Sequence, residues 1–316
     1  MNRPERSTTL LRWSLCIGAF ALVFGSHAQQ DPLYTMYMWN MMTVNPGYAG
    51  SADVMNATVL ARRQWVGIDG APATNSLMVH TPLRTKSVGL GLSVLDDRIG
   101  PGRTTGAFAD FAYRIRTGGA CRLAFGLKAG FNSMRMRMSS VPGTDANDPV
   151  FQQDISGGFK PNFGFGLYYW GKKGYAGLST PKLLQEDLMA RAESGDVRSF
   201  RQQMHYFLTA GYVFPLSKEV KFKPALLAKA VAGAPLAMDL SANFLFMDQF
   251  WVGAAYRTAN EASAILSYQI TDQLRAGYSF DYAFSGIRSR TSGSHEIMAT
   301  YDLSFTKHLL RSPRYF

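Results

Sequence analysis

Three stretches of this sequence carry residue types and spacings from which chemistry could be built. Gly166 to Lys173 reads G-x-x-x-x-G-K-K, one residue short of the loop whose backbone amides cradle phosphates, but Lys173 stands where the Mg²⁺-ligating Ser or Thr belongs. The segment also alternates like a strand running into a hairpin, whereas a phosphate loop opens a helix. Ser294-His295-Glu296 offers the residue types of a hydrolytic relay. On a strand, His295 points away from both neighbours, so the three cannot form one within that segment. His80, His205 and His308 fall near predicted strand ends with no i, i+4 pairing and no cysteine company, so no metal is expected there. Asp145-Ala146-Asn147-Asp148-Pro149 lacks the Gly and the terminal Glu of a calcium loop. The expectation is no catalytic residue, no cofactor and no metal.

The elements that carry these residues are strands. Phe163, Phe165, Leu167 and Tyr169 alternate with Gly164, Gly166, Tyr168 and Trp170, a Gly-Lys-Lys-Gly turn follows, and Tyr175 to Ser179 runs back. That is a hairpin of period two. The same alternation recurs at Val88 to Val94, Leu123 to Phe131, Met238 to Phe246 and Leu274 to Tyr282, with apolar residues on one face and Gly, Ser, Asn and charge on the other. A soluble sandwich would put the polar face in water; a membrane barrel puts it in the lumen and gives the bulky face to lipid. On the barrel reading, Arg at Leu127 or Leu240 is costly and Arg at Asn243, on the lumen face, is tolerated.

Composition favours the barrel. Only 17% of the 316 residues are charged, 13% are aromatic and 30 are glycine, and the mean hydropathy is -0.09. Strands facing a polar lumen average hydropathy away in this manner. Arg3, Arg6 and Arg12, the apolar run Trp13 to Gly25 and Ser26-His27-Ala28 read as a signal peptide cleaved before Gln29. Its apolar run is shorter than the roughly 20 residues of a spanning helix. Cys16 lies inside that run after Leu15, against a lipoprotein, and cleavage leaves Cys121 alone, with no disulfide. Losing three arginines and Glu5 takes the formal charge from +11 to +9, a basic balance suited to anionic lipid or an acidic partner. Nucleic acid is not expected, since no basic helix or Lys/Arg run is present.

About 14 strands can be counted between Val54 and Phe305, an even number as bacterial single-chain barrels require. Connections after even-numbered strands are tight, and those after odd-numbered strands are often long, notably Asn132 to Lys160 and Thr180 to Gln203, which places the N-terminus in the periplasm. Pro181 to Gln203 has the composition of a short helix broken at Gly195, capping the outer mouth. The expected divisions are a signal peptide at 1-28, an N-terminal plug or latch at 29-52, a barrel at 53-306 and a tail at 307-316. The fold class is therefore all-β: a closed antiparallel transmembrane barrel with a non-strand N-terminal segment packed in or under it.

That N-terminal segment, Gln30 to Ser51, lacks clean period two and is rich in Tyr, Met and Asn. Asp31-Pro32 and Asn45-Pro46-Gly47 form turns, and Tyr34, Tyr37, Trp39 and Tyr48 need a surface to pack on. Asn40 and Asn45 would then hydrogen-bond backbone groups, because buried polar side chains require partners. A disordered tether to a periplasmic subunit is the competing reading, which the aromatic composition argues against. Arg62, Gln64 and Trp65, with Gly67 to Pro72, read as an aromatic and charged outer loop. They are either binding anchors or an interfacial Trp with a solvated Arg.

Gln30-Asp31-Pro32, Tyr37-Met38-Trp39-Asn40 and Asn45-Pro46-Gly47-Tyr48-Ala49-Gly50-Ser51 resemble the N-terminal signature of the PorP/SprF family of type IX secretion outer-membrane proteins. The resemblance continues through Arg62, Gln64-Trp65, Gly67, Asp69 to Pro72, Thr74, Asp97 to Pro101, Gly177 to Pro181, Gly277-Tyr278 and Gly293 to Glu296. Trp39 and Gly47 depart mildly, standing where the family pattern has Phe and Ala. The resemblance implies a non-enzymatic outer-membrane component of protein export that holds or receives cargo C-terminal domains, and in gliding species serves adhesin secretion. It also implies partners among periplasmic lipoprotein and OmpA-like peptidoglycan-binding subunits. A passive or substrate-specific channel is the alternative, although the N-terminal aromatics and inward Phe108, Trp170 and Phe207 would occlude a lumen. A lipid hydrolase lacks any Ser/His pair at usable spacing.

Overall fold

A computed structural model describes residues 32–140, 154–185, 187–191, 197–201, 203–258 and 260–303. The segments expected to be a signal peptide and a C-terminal tail, together with Asp31 and the Asp145 to Pro149 stretch, lie outside the described residues. The strands are β1 (Met55–Arg63), β2 (Ala73–Pro82), β3 (Val88–Ile99), β4 (Gly102–Gly118), β5 (Cys121–Met136), β6 (Ile155–Trp170), β7 (Gly174–Thr180), β8 (Asp187–Arg191) and β9 (Val197–Arg201). They continue as β10 (His205–Tyr212), β11 (Phe214–Pro215), β12 (Val220–Val231), β13 (Ala237–Phe246), β14 (Phe250–Arg257), β15 (Glu261–Gln269), β16 (Leu274–Ala283) and β17 (Ser294–Leu303).

Fourteen of these close into an antiparallel barrel. Consecutive barrel strands pair antiparallel, β7 pairs with β10 past the separate hairpin β8–β9, β10 pairs with β12 beside the two-residue β11, and β1 pairs with β17 from Met55 against Leu303 to Arg63 against His295. Closure satisfies the backbone of every barrel strand, which a lipid environment demands. No helix among the described residues is long and apolar enough to cross a membrane; the crossing is made by strands.

Side-chain parity follows the alternation. Leu90, Leu92, Leu127, Phe163, Leu178, Leu240 and Ile297 face outward and are exposed, an apolar surface that lipid covers. Tyr168, Trp170, Phe108 and Phe207 face inward and are buried. One end of the barrel carries tight turns, such as Gly171 to Lys173 and Met247 to Gln249; the other carries the β1–β2, β5–β6, β7–β10 and β16–β17 connections.

The helix expected over Pro181 to Gln203 is a correction. Residues 181–185 are irregular, and beyond them the described parts form the hairpin β8–β9, paired from Asp187 against Arg201 to Arg191 against Val197. Short segments either side of Gly195 are below the roughly 12–15 residues at which an isolated helix becomes stable, and pairing supplies backbone partners that neither segment has alone.

Candidate functional site: an occupied lumen

The lumen is filled by the chain's own N-terminal segment. From Tyr34 to Ser51 every residue except Thr43 is buried, in three short 3-10 turns at Tyr37–Trp39, Met41–Thr43 and Pro46–Tyr48. Amide-to-carbonyl bonds three residues apart, Asn40 to Tyr37 at 2.9 Å, Val44 to Met41 at 3.0 Å and Ala49 to Pro46 at 3.1 Å, satisfy part of its backbone locally. Asn45 starts the last turn: its Oδ1 accepts the Gly47 amide at 2.8 Å, its Nδ2 donates to the Leu167 carbonyl at 2.9 Å, and Pro46 takes the first helical position.

Glycines on the inner wall make the room. A Cβ on Gly126 would overlap the Pro46-Gly47 backbone, one on Gly166 the Asn45 side chain, one on Gly89 the Ala49 carbonyl, and one on Gly91 the Met42 sulfur. The glycine-rich face of the alternating strands is therefore a trough shaped to this segment. Aromatic contacts fill the remainder: Trp39 meets Trp251 edge-on at 6.1 Å, and Tyr48 meets Tyr168 at 5.4 Å and His80 at 5.2 Å.

Two polar anchors hold the ends. Glu296 accepts the Met36 amide through Oε1 at 2.7 Å and the Thr35 amide through Oε2 at 3.1 Å, while Thr35 Oγ1 donates to Asp281 at 2.8 Å. Arg62 lies between those acids, 2.5 Å from Asp281 and 3.0 Å from Glu296. Across the next strands Arg257 grips Asp239 with two bonds of 2.8 and 2.9 Å and Glu261 at 2.6 Å. Buried charge is tolerated only when paired in this way.

At the far end His80 Nδ1 accepts the Gly50 amide at 3.1 Å, which puts the proton of a neutral ring on Nε2. Arg114 donates to the Gly50 carbonyl at 2.5 Å and to the Val88 carbonyl at 3.0 Å. Arg62 shares a register row with Thr74 and Asp97 near the long connections, whereas Val88 adjoins the β2–β3 turn. The segment thus threads the lumen from the long-connection end to the tight-turn end.

The structure gathers Tyr37, Trp39, Asn40, Asn45, Pro46 and Tyr48 in this plug and leaves Pro32 half-buried at its start. Asn40 donates to the Ser76 hydroxyl at 3.1 Å, a side chain rather than the backbone group anticipated. Arg62 is the larger correction. It is neither loop-borne nor solvated but 2% exposed inside the barrel, because it shares the inward parity of Asn56, Thr58 and Leu60 and two carboxylates await it there.

Gln64, Trp65 and Pro72 stay outside this site, half-buried in the β1–β2 connection. The Gln64 amide donates to the Pro72 carbonyl at 2.9 Å, and the Trp65 amide to Ser294 Oγ at 3.1 Å. Asn243, expected to tolerate Arg, is fully buried beside Ser241; the lumen is packed, so its polar face is no more accommodating than a core.

Sequence reasoning gave no lumen role to Glu296, Asp281, Arg257, Asp239, Glu261, His80 or Arg114. For the acids and Arg257 the signal was opposite charge at inward parity on nearby strands, readable only once the register is known; His80 and Arg114 meet the Gly50 backbone and carried no such signal. Gly166, in the phosphate-loop look-alike, is an inward strand residue of β6. Among the described residues no group of three or more His, Cys, Asp or Glu could hold a metal.

Residues 26–301 match the sequence family described as Type IX secretion system membrane protein PorP/SprF. No curated protein matches the chain. Among solved structures it is similar to the CymD monoaromatic hydrocarbon channel, with a TM-score of 0.52, 12% identity, and 83% of this chain and 92% of that one covered. It is also similar to the P. putida toluene transporter TodX, at 0.48 and 9% identity over 85% and 95% of the chains, and to a Pseudomonas aeruginosa FadL homologue, at 0.44 and 10% over 79% and 89%. At such identity the likeness to CymD is one of fold alone.

Proposed function

The chain belongs to the PorP/SprF family of type IX secretion system membrane proteins, and from that premise we propose that it is a plugged, non-enzymatic outer-membrane platform that receives secreted cargo and docks other subunits of the machinery. Its place is the outer membrane. Cargo C-terminal domains are the proposed load. Periplasmic lipoprotein and OmpA-like peptidoglycan-binding proteins are the proposed subunit partners.

The observation that carries this reading is the anchored plug. A diffusion channel needs a continuous aqueous path, and a segment buried from Tyr34 to Ser51 and fastened at both ends opposes one. A barrel that does not conduct can still offer its surface and connections to other proteins, which is the work of a platform. The aromatic Trp65 connection belongs to that surface, held against the β16–β17 connection by the Val66 amide on the Gly293 carbonyl at 2.8 Å.

The test compares the mature chain with a variant lacking Gln30 to Asn45. The intact barrel should be silent in planar bilayers and should recover cargo and machinery subunits from detergent extract, identified by mass spectrometry. The deletion should open conductance, lower stability and impair secretion. Steady conductance of the intact barrel would establish a channel instead. A deletion that abolishes subunit binding while leaving conductance and stability unchanged would make the segment a docking peptide and not a plug.

A further inference from the structure

On the lipid-facing side of the barrel, three arginines stand in one register row across three adjacent strands. Arg98 of β3 is the direct partner of Arg103 of β4, which is the direct partner of Arg135 of β5. All three are exposed, and with Phe131 and Phe159 they line a groove of about 500 Å³. We propose that this groove binds the phosphate groups of an anionic membrane lipid.

Like charges directly opposite one another on a sheet repel and destabilise the pair. Asp96 relieves only part of the repulsion, through Arg103 at 2.7 Å, and an exposed pair of that kind contributes little. Arg137, which also lines the groove, adds a further positive charge. The row therefore keeps an excess of guanidinium groups whose planar forks suit phosphate oxygens, singly or bidentately.

Depth selects a lipid as the source of the phosphate. Below the row, the outward face of β4 and β5 runs through Thr105 and Ser133 to the apolar residues Phe111, Leu127, Ile115 and Leu123. The ten residue steps from Thr105 to Ile115 cover about 33 Å along a strand, and at a tilt of about 40° they span about 25 Å, the height of a barrel's lipid band. The three arginines form the next outward row beyond it, at headgroup level. Phe159, 74% exposed and edge-on to Phe131 at 5.2 Å, sits at the boundary where aromatic girdles occur. A protein ligand would have to displace lipid to reach this face.

Native mass spectrometry of the full mature chain in detergent tests the assignment, with bis-phosphorylated lipid A as the probe, phosphatidylethanolamine as a zwitterionic comparison and inorganic phosphate as a competitor. The wild type should retain lipid A in preference to phosphatidylethanolamine. The R98Q/R103Q/R135Q variant should bind it roughly tenfold more weakly, since each lost charge-assisted bond contributes, with unchanged heat-modifiable migration on gels. Equal retention by wild type and variant, or equal retention of the zwitterionic lipid, would overturn the proposal. Displacement of lipid A by inorganic phosphate at similar concentration would show an anion site with no lipid preference and would also overturn it. Should the triple variant fail to fold, R135Q alone must still lower lipid A retention. None of these readouts involves secretion, so this site and the platform function fail independently.

Discussion

Glu296 accepts the Met36 amide at 2.7 Å, a bond from the last barrel strand to the start of the plug. The same carboxylate takes the Thr35 amide and one nitrogen of Arg62, so it receives three donors on two oxygens. In Glu296→Gln the new amide group confronts those donors with a donor of its own. Disrupting a buried pair costs about 3–5 kcal/mol, and the lower end is expected because Arg62 keeps Asp281. Urea unfolding in lipid vesicles should show the loss, and planar bilayers should show intermittent conductance as the plug loosens. Wild-type behaviour in both would mean that Glu296 does not anchor the segment.

The glycine trough predicts a substitution that displaces the plug while sparing the sheet. Gly126→Val places a side chain where the Pro46-Gly47 backbone runs, yet valine is a favoured strand residue. The barrel should still show heat-modifiable migration while protease cuts the N-terminal segment faster. Gly286→Ala, whose Cβ meets nothing within 4 Å, should leave both properties unchanged. Matching cleavage rates for the two variants would contradict the close fit.

Asn45→Ala removes the bond to the Leu167 carbonyl and the cap on the Gly47 amide. Both groups left behind sit in a packed interior, where an unsatisfied group costs about 1–3 kcal/mol. Thermal unfolding should drop accordingly. Asn45→Asp keeps an acceptor for the Gly47 amide but turns a second oxygen toward the Leu167 carbonyl and buries a charge without a partner, so it should be at least as destabilising as alanine; an aspartate as stable as wild type would show that the bond to Leu167 contributes nothing.

Lipid exposure of the outer face predicts a depth profile. Leu127→Arg, near the middle of the band, should cost about 2–4 kcal/mol, and Ile115→Arg, near its edge, about 0–1. Equal costs at the two sites would place the membrane elsewhere on the barrel.

Orientation can be read with protease on intact cells. If the long connections are extracellular, cleavage occurs between residues 137 and 153 and not at the turn 216–219. Cleavage in the long connection only after the outer membrane is permeabilised would invert the topology.

Period-two alternation was enough to count the strands and to assign faces, because side-chain direction along a strand is a local property: Leu127 and Phe163 point outward and Tyr168 inward whatever their partners. The alternating lengths of the connections were equally legible, since turn chemistry is local too. So was the need of Tyr37, Trp39 and Tyr48 for cover. What lies opposite what is set by register, and register is decided by closure of the whole sheet. That is why Arg62 looked like part of an exposed loop until Glu296 and Asp281, more than two hundred residues later, were found facing it. The inner glycines were visible as a pattern but not as a trough, because the volume they leave empty acquires meaning only when Asn45 to Gly47 occupies it. The hairpin β8–β9 has the same cause: two segments with helical composition became strands through a pairing that neither encodes alone.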